Sequence, residues 1–224
     1  MVRRLVLLLA AACLLVGCGE EAAGDGTARL WITRDRGSDV VLTATVPAGI
    51  SALEALRREA EVDTRYGGRF VQSVNGIEGD LAQQRDWFWF VNGYEGDRSA
   101  ADYELHDGDV IWWDHRSWAG EMRQPVVVGA FPEPFLHGWE GKRRPAVVRG
   151  PPGETAERLA ELIEGSLNEE LDGANRLVLV PGSGFKARVD GEPGDPVVFE
   201  LGLRDAERLA RNPALAQYRY EGLS

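Results

Sequence analysis

The sequence predicts an α+β protein in which a domain with a mixed sheet and one helix, over residues 29–118, precedes a small α/β domain over residues 125–224. Three observations predict this class. Short segments of alternating apolar and polar residues fill the first part, and one amphipathic helix interrupts them. After Pro125 a turn-rich segment leads into a second set of helix and strand patterns. A length of 224 residues fits two small domains of this kind.

The first domain opens with two strands, at residues 30–32 and 40–46, joined by the turn Asp35–Ser38. Ser51 and Glu54 have the spacing of a capping box, which predicts a helix with Leu53, Leu56 and Ala60 on one side. Three more strands are predicted, at Phe70–Val74, Trp87–Val91 and Val110–His115. One helix lying across a mixed sheet in this order is the β-grasp arrangement.

The second domain is predicted from patterns between residues 125 and 224. Apolar residues at helical spacing predict a helix over Thr155–Leu167, and Leu177–Val180 and Pro196–Leu201 have the composition of strands. Asp205 is the predicted N-cap of a last helix that stops at Asn212-Pro213. This part of the sequence indicates no ligand.

The first 28 residues are predicted to direct and anchor the chain. Two arginines precede twelve apolar residues, which is typical of a signal peptide over residues 1–17. Leu15-Val16-Gly17-Cys18 resembles the lipobox of bacterial lipoproteins, which implies lipidation of Cys18, a flexible tether over residues 18–28, and a location on the extracytoplasmic face of the cell membrane. Alternatively, Cys18 is a chance cysteine near an ordinary cleavage site. Either way, no disulfide is expected in the mature domains, because Cys13 leaves with the signal peptide.

Charge and composition exclude some function classes. A net charge of −11 argues against a nucleic-acid partner, because phosphate recognition needs a basic surface. The three histidines stand alone, without the ligand spacing of a zinc site, and Pro181-Gly182-Ser183-Gly184 lacks the spacing of a nucleophile elbow. We therefore predict no catalytic residues, no metal and no enzymatic activity.

The tryptophans suggest a binding face. Six of the seven lie between residues 31 and 118. Since side chains alternate along a strand, Trp87 and Trp89 are expected on one face of the sheet with Phe88 and Phe90 on the other, and Trp112 and Trp113 are likewise expected on opposite faces. One helix covers only one face, so aromatic rings, with Trp31 among them, are expected on the uncovered face. Two alternatives follow: this face binds a flat, partly apolar ligand, or the second domain packs on it.

Several motifs, spaced along residues 29–116, resemble the transcobalamin-like C-terminal domain, a β-grasp module related to soluble-ligand-binding domains. They are Ser51–Ala60, Tyr66–Gly68, Ser73–Gly76, Trp87–Gly93, Ala101–Tyr103 and Asp107–Trp113. In the cobalamin carriers this domain closes over one face of the corrin ring. The resemblance implies that the present chain binds a small flat ligand, with a cobalamin-like corrinoid as the first candidate, and delivers it to a vitamin uptake transporter.

The candidate ligand contacts are Trp31 and Trp113, from the strand argument, and, as the resemblance implies, Trp87, Trp89, Asn92, Tyr94 and Tyr103. The loop from Asn92 to Asp102 follows the aromatic strand directly. Asn92 is more simply explained as a hairpin turn residue with positive φ, and Tyr103 at a strand edge as a core residue. The alternative function is a non-enzymatic envelope protein whose β-grasp face docks a protein partner or its own second domain.

Overall fold

The computed structural model describes residues 26–224, which form a mixed α+β structure of three sheets and three α-helices, with most ordered residues in strands. The predicted signal peptide, Cys18 and the tether up to residue 25 lie outside the described residues. The strands are β1 (Thr27–Arg34), β2 (Asp39–Pro47), β3 (Val62–Arg65), β4 (Phe70–Val74), β5 (Ile77–Glu78), β6 (Arg85–Val91), β7 (Tyr94–Glu95), β8 (Val110–Ser117), β9 (Ala146–Arg149), β10 (Ser166–Leu167), β11 (Asn175–Val180), β12 (Phe185–Val189) and β13 (Val197–Gly202). The helices are α1 (Ala52–Glu59), α2 (Glu154–Leu162) and α3 (Leu203–Arg211).

The first sheet has the strand order β2-β1-β8-β6-β7. β1 runs antiparallel to β2 and parallel to β8, and β6 runs antiparallel to β8. Helix α1 begins as predicted: the Ser51 hydroxyl accepts the Glu54 N–H at 3.1 Å, and Leu53 and Leu56 are buried. A separate sheet of β3, β4 and β5 follows the helix. Strand β3 was not predicted, because its Val-Asp-Thr-Arg sequence carries only one apolar residue.

Aromatic side chains alternate across the first sheet as predicted. Trp87 and Trp113 belong to the core on the helix side, whereas Trp31, Phe90 and Trp112 form a second cluster on the opposite face. That opposite face is not left in water. Residues 127–130 and 218–220 pack over it, and Trp31 is only 5% exposed. The C-terminal half of the chain therefore covers the aromatic face that faces away from α1.

The second large sheet has the order β10-β9-β11-β13-β12, in which β9, β11 and β13 run parallel. The predicted helix over Thr155–Leu167 is too long. Helix α2 ends at Leu162, because Glu164 takes a φ of 47° and Gly165 packs on the Ala146 carbonyl, where a Cβ would lie 2.6 Å away. Leu167 belongs to strand β10 instead.

Two further differences concern the last elements. Asp205 is not the N-cap of α3: the helix starts at Leu203, and the Asp205 carboxylate accepts the Gly184 N–H at 2.7 Å from within the first turn. Strand β12 was not predicted, although its two exposed basic residues alternate with Phe185, Ala187 and Val189 as in a strand with one buried face. The end of α3 at Arg211, before Asn212-Pro213, is as predicted.

The junction between the two halves contains two buried carboxylates. Glu133 is 1% exposed and accepts two hydrogen bonds from His137. One comes from the backbone N–H, at 3.0 Å, and the other from the ring Nδ1 of the histidine, at 2.6 Å. Asp109 is fully buried and accepts the His106 N–H at 2.8 Å. The hydrogen bond to Glu133 raises the pKa of His137, and burial raises the pKa of Asp109.

This junction predicts that one part of the protein's stability is lost as the pH rises. A histidine whose folded pKa lies above its ordinary value of about 6.5 stabilises the fold fully below that value. The contribution disappears as the pH passes through the raised folded pKa. Since burial lowers the pKa of His115, that histidine acts in the opposite direction. To cancel the contribution of His115, the free energy of unfolding is compared between wild type and His137→Gln at each pH. The difference between the two proteins is expected to shrink from about pH 6 to pH 9. A difference that stays constant over this range contradicts the assignment.

Candidate functional site

A cavity of about 370 Å³, open to solvent, lies at the free edge of β6. β8 pairs with the whole of β6 on one side, whereas β7 pairs only with Phe90 and Val91 on the other. Within residues 26–224, no strand pairs with the edge from Asp86 to Phe88. The cavity is lined by Leu53, Gly68, Arg69, Phe70, Val71, Asp86, Trp87, Phe88, Trp89, Glu95, Gly96, Asp97, Arg98, Ser99, Ala100, Trp113, Met122 and Arg123.

Three of the tryptophans predicted as ligand contacts, Trp87, Trp89 and Trp113, line this cavity. Trp89 stacks on Trp113, with ring centroids 6.3 Å apart and planes 29° from parallel. The Trp87 indole N–H donates to the Ile77 carbonyl at 2.8 Å. These contacts hold two of the rings in place, so the aromatic lining is formed before any ligand arrives.

The loop after β7 closes one side of the cavity, and it can do so because residue 96 is glycine. The Gly96 N–H donates to the Trp89 carbonyl at 2.9 Å. A Cβ at this position would lie 2.0 Å from the Trp89 ring, so any other residue would displace the loop or the ring. The loop from Asn92 to Asp102, singled out in the sequence, thereby supplies Asp97, Arg98 and Ser99 to the cavity wall.

Apolar side chains surround the cavity mouth, and sequence reasoning missed them as site residues. Phe70 is 41% exposed, Met122 is 57% exposed, and both line the cavity. Tyr66, beside the mouth, is 79% exposed and packs edge-on against Phe70 at 6.4 Å. The alternation of β4 contained the signal for Phe70, because its neighbour Val71 is the buried residue of the pair. Adjacent exposed apolar side chains of this kind mark a binding surface.

Most charged groups at the cavity are paired. Glu95 is 6% exposed and accepts from the Arg116 guanidinium at 3.3 Å and from the Gln124 N–H at 3.1 Å. Arg123 approaches the other Glu95 oxygen at 3.6 Å. Burial still outweighs these partners and raises the pKa of Glu95. Arg116 therefore ties β8 to the buried carboxylate that borders the cavity.

Asn92, Tyr94 and Tyr103, also predicted as ligand contacts, lie outside the cavity lining and are buried. Asn92 has a φ of 51° in the turn between β6 and β7, and its amide donates to Asp109 at 2.7 Å and to the Gly138 carbonyl at 2.8 Å. The Tyr94 hydroxyl donates to the Asp195 carbonyl at 2.9 Å, and the Tyr103 hydroxyl accepts the Glu140 N–H at 3.0 Å. Burial raises the pKa of both tyrosines. All three side chains join the first sheet to the C-terminal half.

Trp31 lies on the opposite face of the sheet from the cavity. Its ring packs edge-on against Tyr218, with centroids 4.8 Å apart, and against Trp112 at 6.2 Å. The predicted set of seven contacts thus divides into three residues at the cavity, three at the junction and one on the far face. Cys18, the predicted lipidation site, lies outside the described residues.

Metal sites and membrane-spanning helices are both absent from the part of the chain that begins at residue 26. In that part, His, Cys, Asp and Glu side chains do not gather in groups of three or more that could hold a metal ion. Its helices are too short or too polar for any of them to cross a membrane.

Comparison with known proteins matches residues 49–117 to a domain of unknown function, DUF4430. No curated protein matches the chain. Among solved structures, a proposed metal-binding protein from Ruminococcus gnavus ATCC 29149 shares 14% identity, with a TM-score of 0.35 over 42% of this chain and 98% of that one. Haptocorrin in complex with Cbi shares 13% identity, with a TM-score of 0.33 over 41% of this chain and only 25% of that one. The matched segment contains α1 and the strands β3 to β8, and the family whose model matches it has no assigned function.

Proposed function

We propose that this protein binds a small, flat and partly apolar ligand in the cavity at the free edge of β6. The observation that carries the proposal is the meeting of Trp87, Trp89 and Trp113 with Phe70 around a solvent-open space of about 370 Å³. Pockets for small molecules commonly measure about 300–1,000 Å³ and have mainly apolar walls with a few polar groups. A flat ligand gains contact area on such rings, together with the stacking energy that aromatic pairs provide.

A cobalamin-like corrinoid is the first ligand to test. The cavity is at the small end of the usual range, so a macrocycle would rest one face over the mouth instead of entering completely. Tyr66, Phe70 and Met122 offer exposed apolar surface for that contact. The β-grasp arrangement proposed for residues 29–118 is supported by the β1–β2 hairpin, the single helix α1 and the parallel pairing of β8 with β1.

The proposed setting is the extracytoplasmic face of the cell membrane. Cys18 would carry the lipid anchor, and residues 18–28 would hold the folded part near the lipid surface. From there the protein would pass its ligand to a vitamin uptake transporter without chemical change. Mass spectrometry of the protein extracted from membranes tests the anchor, since Cys18→Ser is expected to remove both the lipid mass and the membrane association.

Ligand binding is tested by titrating residues 19–224 with cyanocobalamin while recording tryptophan emission and the visible band of the ligand. Free corrinoid absorbs light, so an equal concentration of free tryptophan serves as the inner-filter control. Phe70→Ala is expected to weaken binding about 3- to 10-fold, because one exposed aromatic contact is lost. Leu171→Ala is the matched control, since Leu171 is similarly exposed, at 37%, and does not line the cavity. The proposal fails for corrinoids if no saturable change occurs up to high micromolar ligand.

Docking of an envelope protein is a second candidate function. It is favoured by the free edge of β6 beside exposed Tyr66 and Phe70, because such an edge accepts an added strand from a partner. Amide hydrogen exchange at Trp87 and Trp89, the residues of this segment whose backbone N–H groups point away from β8, separates the two functions when it is measured with isolated envelope proteins. Added protection at these backbone amides supports strand addition, whereas a small flat ligand is expected to quench tryptophan emission without a ladder of protected amides.

A further inference from the structure

The arginines at the cavity form ion pairs with acidic side chains of the protein. Arg98 donates to both Asp97 oxygens, at 2.7 and 3.0 Å, and to Glu140 at 2.8 Å. Arg69 forms an ion pair with Asp102. Arg123 approaches Glu95. Each positive charge at this site is therefore matched by a carboxylate of the protein itself.

Asp86 is the exception among the acidic residues of the lining. Within residues 26–224, no basic side chain forms an ion pair with it, and its Oδ1 accepts only the N–H of the next residue, Trp87, at 2.9 Å. Arg116 lies directly opposite Asp86 in the β6–β8 ladder, yet its guanidinium turns to Glu95 and to the carbonyls of Glu121 and Met122. Asp86 is half-buried at the free edge of β6 and lacks a counterion.

The charges near Asp86 do not compensate for its partial loss of water. Burial raises the pKa of Asp86, and the attraction of His115 and Arg65 is too weak to reverse this. Burial also lowers the pKa of His115, which keeps that ring neutral near pH 7. A half-buried carboxylate without an adjacent cation favours a positively charged group that approaches it.

The rings beside Asp86 suit the same kind of group. Phe70, Trp87 and Trp89 line the cavity with it, and the face of an aromatic ring attracts a cation that sits within about 6 Å of its centre. The neighbouring Phe88 already shows this contact, because the Arg116 guanidinium lies 3.7 Å from its ring centroid. Of the other three rings, Phe70 is 41% exposed and can be reached by a cation from solution. Trp87 is only 6% exposed, and Trp89 is covered in part by Trp113 and Gly96.

We propose that the ligand of this cavity is an organic cation, in which an alkylated or quaternary ammonium pairs with Asp86 and packs against the exposed Phe70 ring of the same lining. This inference rests on the proposed small-molecule function, since it assigns the charge of the ligand in the same cavity. The net charge of −11 adds a general attraction for cations. An anionic ligand would instead meet three arginines whose donors already bind protein carboxylates.

The test compares choline with its neutral isostere, in which a tert-butyl group replaces trimethylammonium. Binding to residues 19–224 is followed by isothermal titration and by the indole N–H signals in NMR spectra. We expect choline to bind about tenfold more tightly than the isostere, from one ring contact and one partly shielded ion pair. Asp86→Asn keeps the size and the hydrogen-bond acceptor, and is expected to reduce choline binding to the level of the isostere.

The control variant is Asp172→Asn, which removes one negative charge from an exposed position away from the cavity. It is expected to retain the preference for choline, which separates a local contact from the general effect of net charge. Equal affinity for the two probes in the wild type, or a preference that survives in Asp86→Asn, overturns the assignment of charge. The corrinoid titration and the effect of Phe70→Ala then decide separately whether a neutral flat ligand binds.

Discussion

Tyr220→Ala is expected to lower the free energy of unfolding by about 3–5 kcal/mol, the loss typical of removing a large buried aromatic side chain. Tyr220 is 6% exposed, and its ring centroid lies 5.4 Å from that of Trp112 and 5.6 Å from that of Phe90. Its hydroxyl donates to the buried Asp114 carboxylate at 2.8 Å. Urea unfolding followed by tryptophan emission measures the change.

Tyr220→Phe is the matched variant, because it keeps the ring and removes only the hydrogen bond to Asp114. Asp114 still accepts from Thr33 at 2.6 Å, so a loss of about 1 kcal/mol is expected. Equal losses in the two variants would show that the hydroxyl, and not the packing of the ring, accounts for the effect. A negligible loss in Tyr220→Ala would mean that residues 218–220 do not hold the far face of the first sheet.

Arg116→Met is expected to destabilise the protein by about 3–5 kcal/mol, because it removes the buried cation that binds Glu95 and leaves only the exposed Arg123, at 3.6 Å, near that carboxylate. Arg116 is completely buried, and Glu95 is 6% exposed. The same guanidinium also binds the carbonyls of Glu121 and Met122, at 2.9 Å each, so its loss releases the segment that leads into the C-terminal half. Denaturant unfolding and proteolysis between residues 117 and 125 provide two separate measurements.

The double variant Arg116→Met with Glu95→Gln isolates the unpaired charge. Removing both charges is expected to recover part of the stability lost in Arg116→Met, since the remaining amide is far less costly to bury than a carboxylate. The two losses would instead add if Arg116 and Glu95 contributed independently, which would contradict the pairing.

The strands of the first half were mostly predicted, because their side chains alternate between the two faces of the sheet with a period of two. Trp87 and Trp113 lie on one face and Phe90 and Trp112 on the other, as the period of two requires. The Ser51 cap follows from one local hydrogen bond. Strands β3 and β12 were missed, since β3 carries a single apolar residue and the alternating pattern of β12 spans only five residues. The covering of Trp31 by Tyr218 joins residues far apart in the chain, which no local rule predicts.

The candidate site was predicted in part for the same reason. Trp113 was predicted as a contact from strand alternation, and Trp87 and Trp89 from the family resemblance; the three line one cavity. Asn92 was predicted as a loop contact. In the structure it occupies a turn position with positive φ, and its side-chain amide donates to Asp109 and to the Gly138 carbonyl. Asp86 has no ion-pair partner within residues 26–224, because the Arg116 guanidinium binds Glu95 instead. That choice is made by tertiary packing and is invisible in the sequence.

The packing of residues 218–220 on the first sheet also constrains how the protein can be made. Trp112 precedes Tyr220 by 108 residues along the chain, so a chain that lacks the last residues leaves Trp31, Phe90 and Trp112 without this part of their cover. Contacts between such distant parts of a chain also form slowly. Chains that lack residues 218–220 are therefore expected to self-associate through this exposed aromatic face.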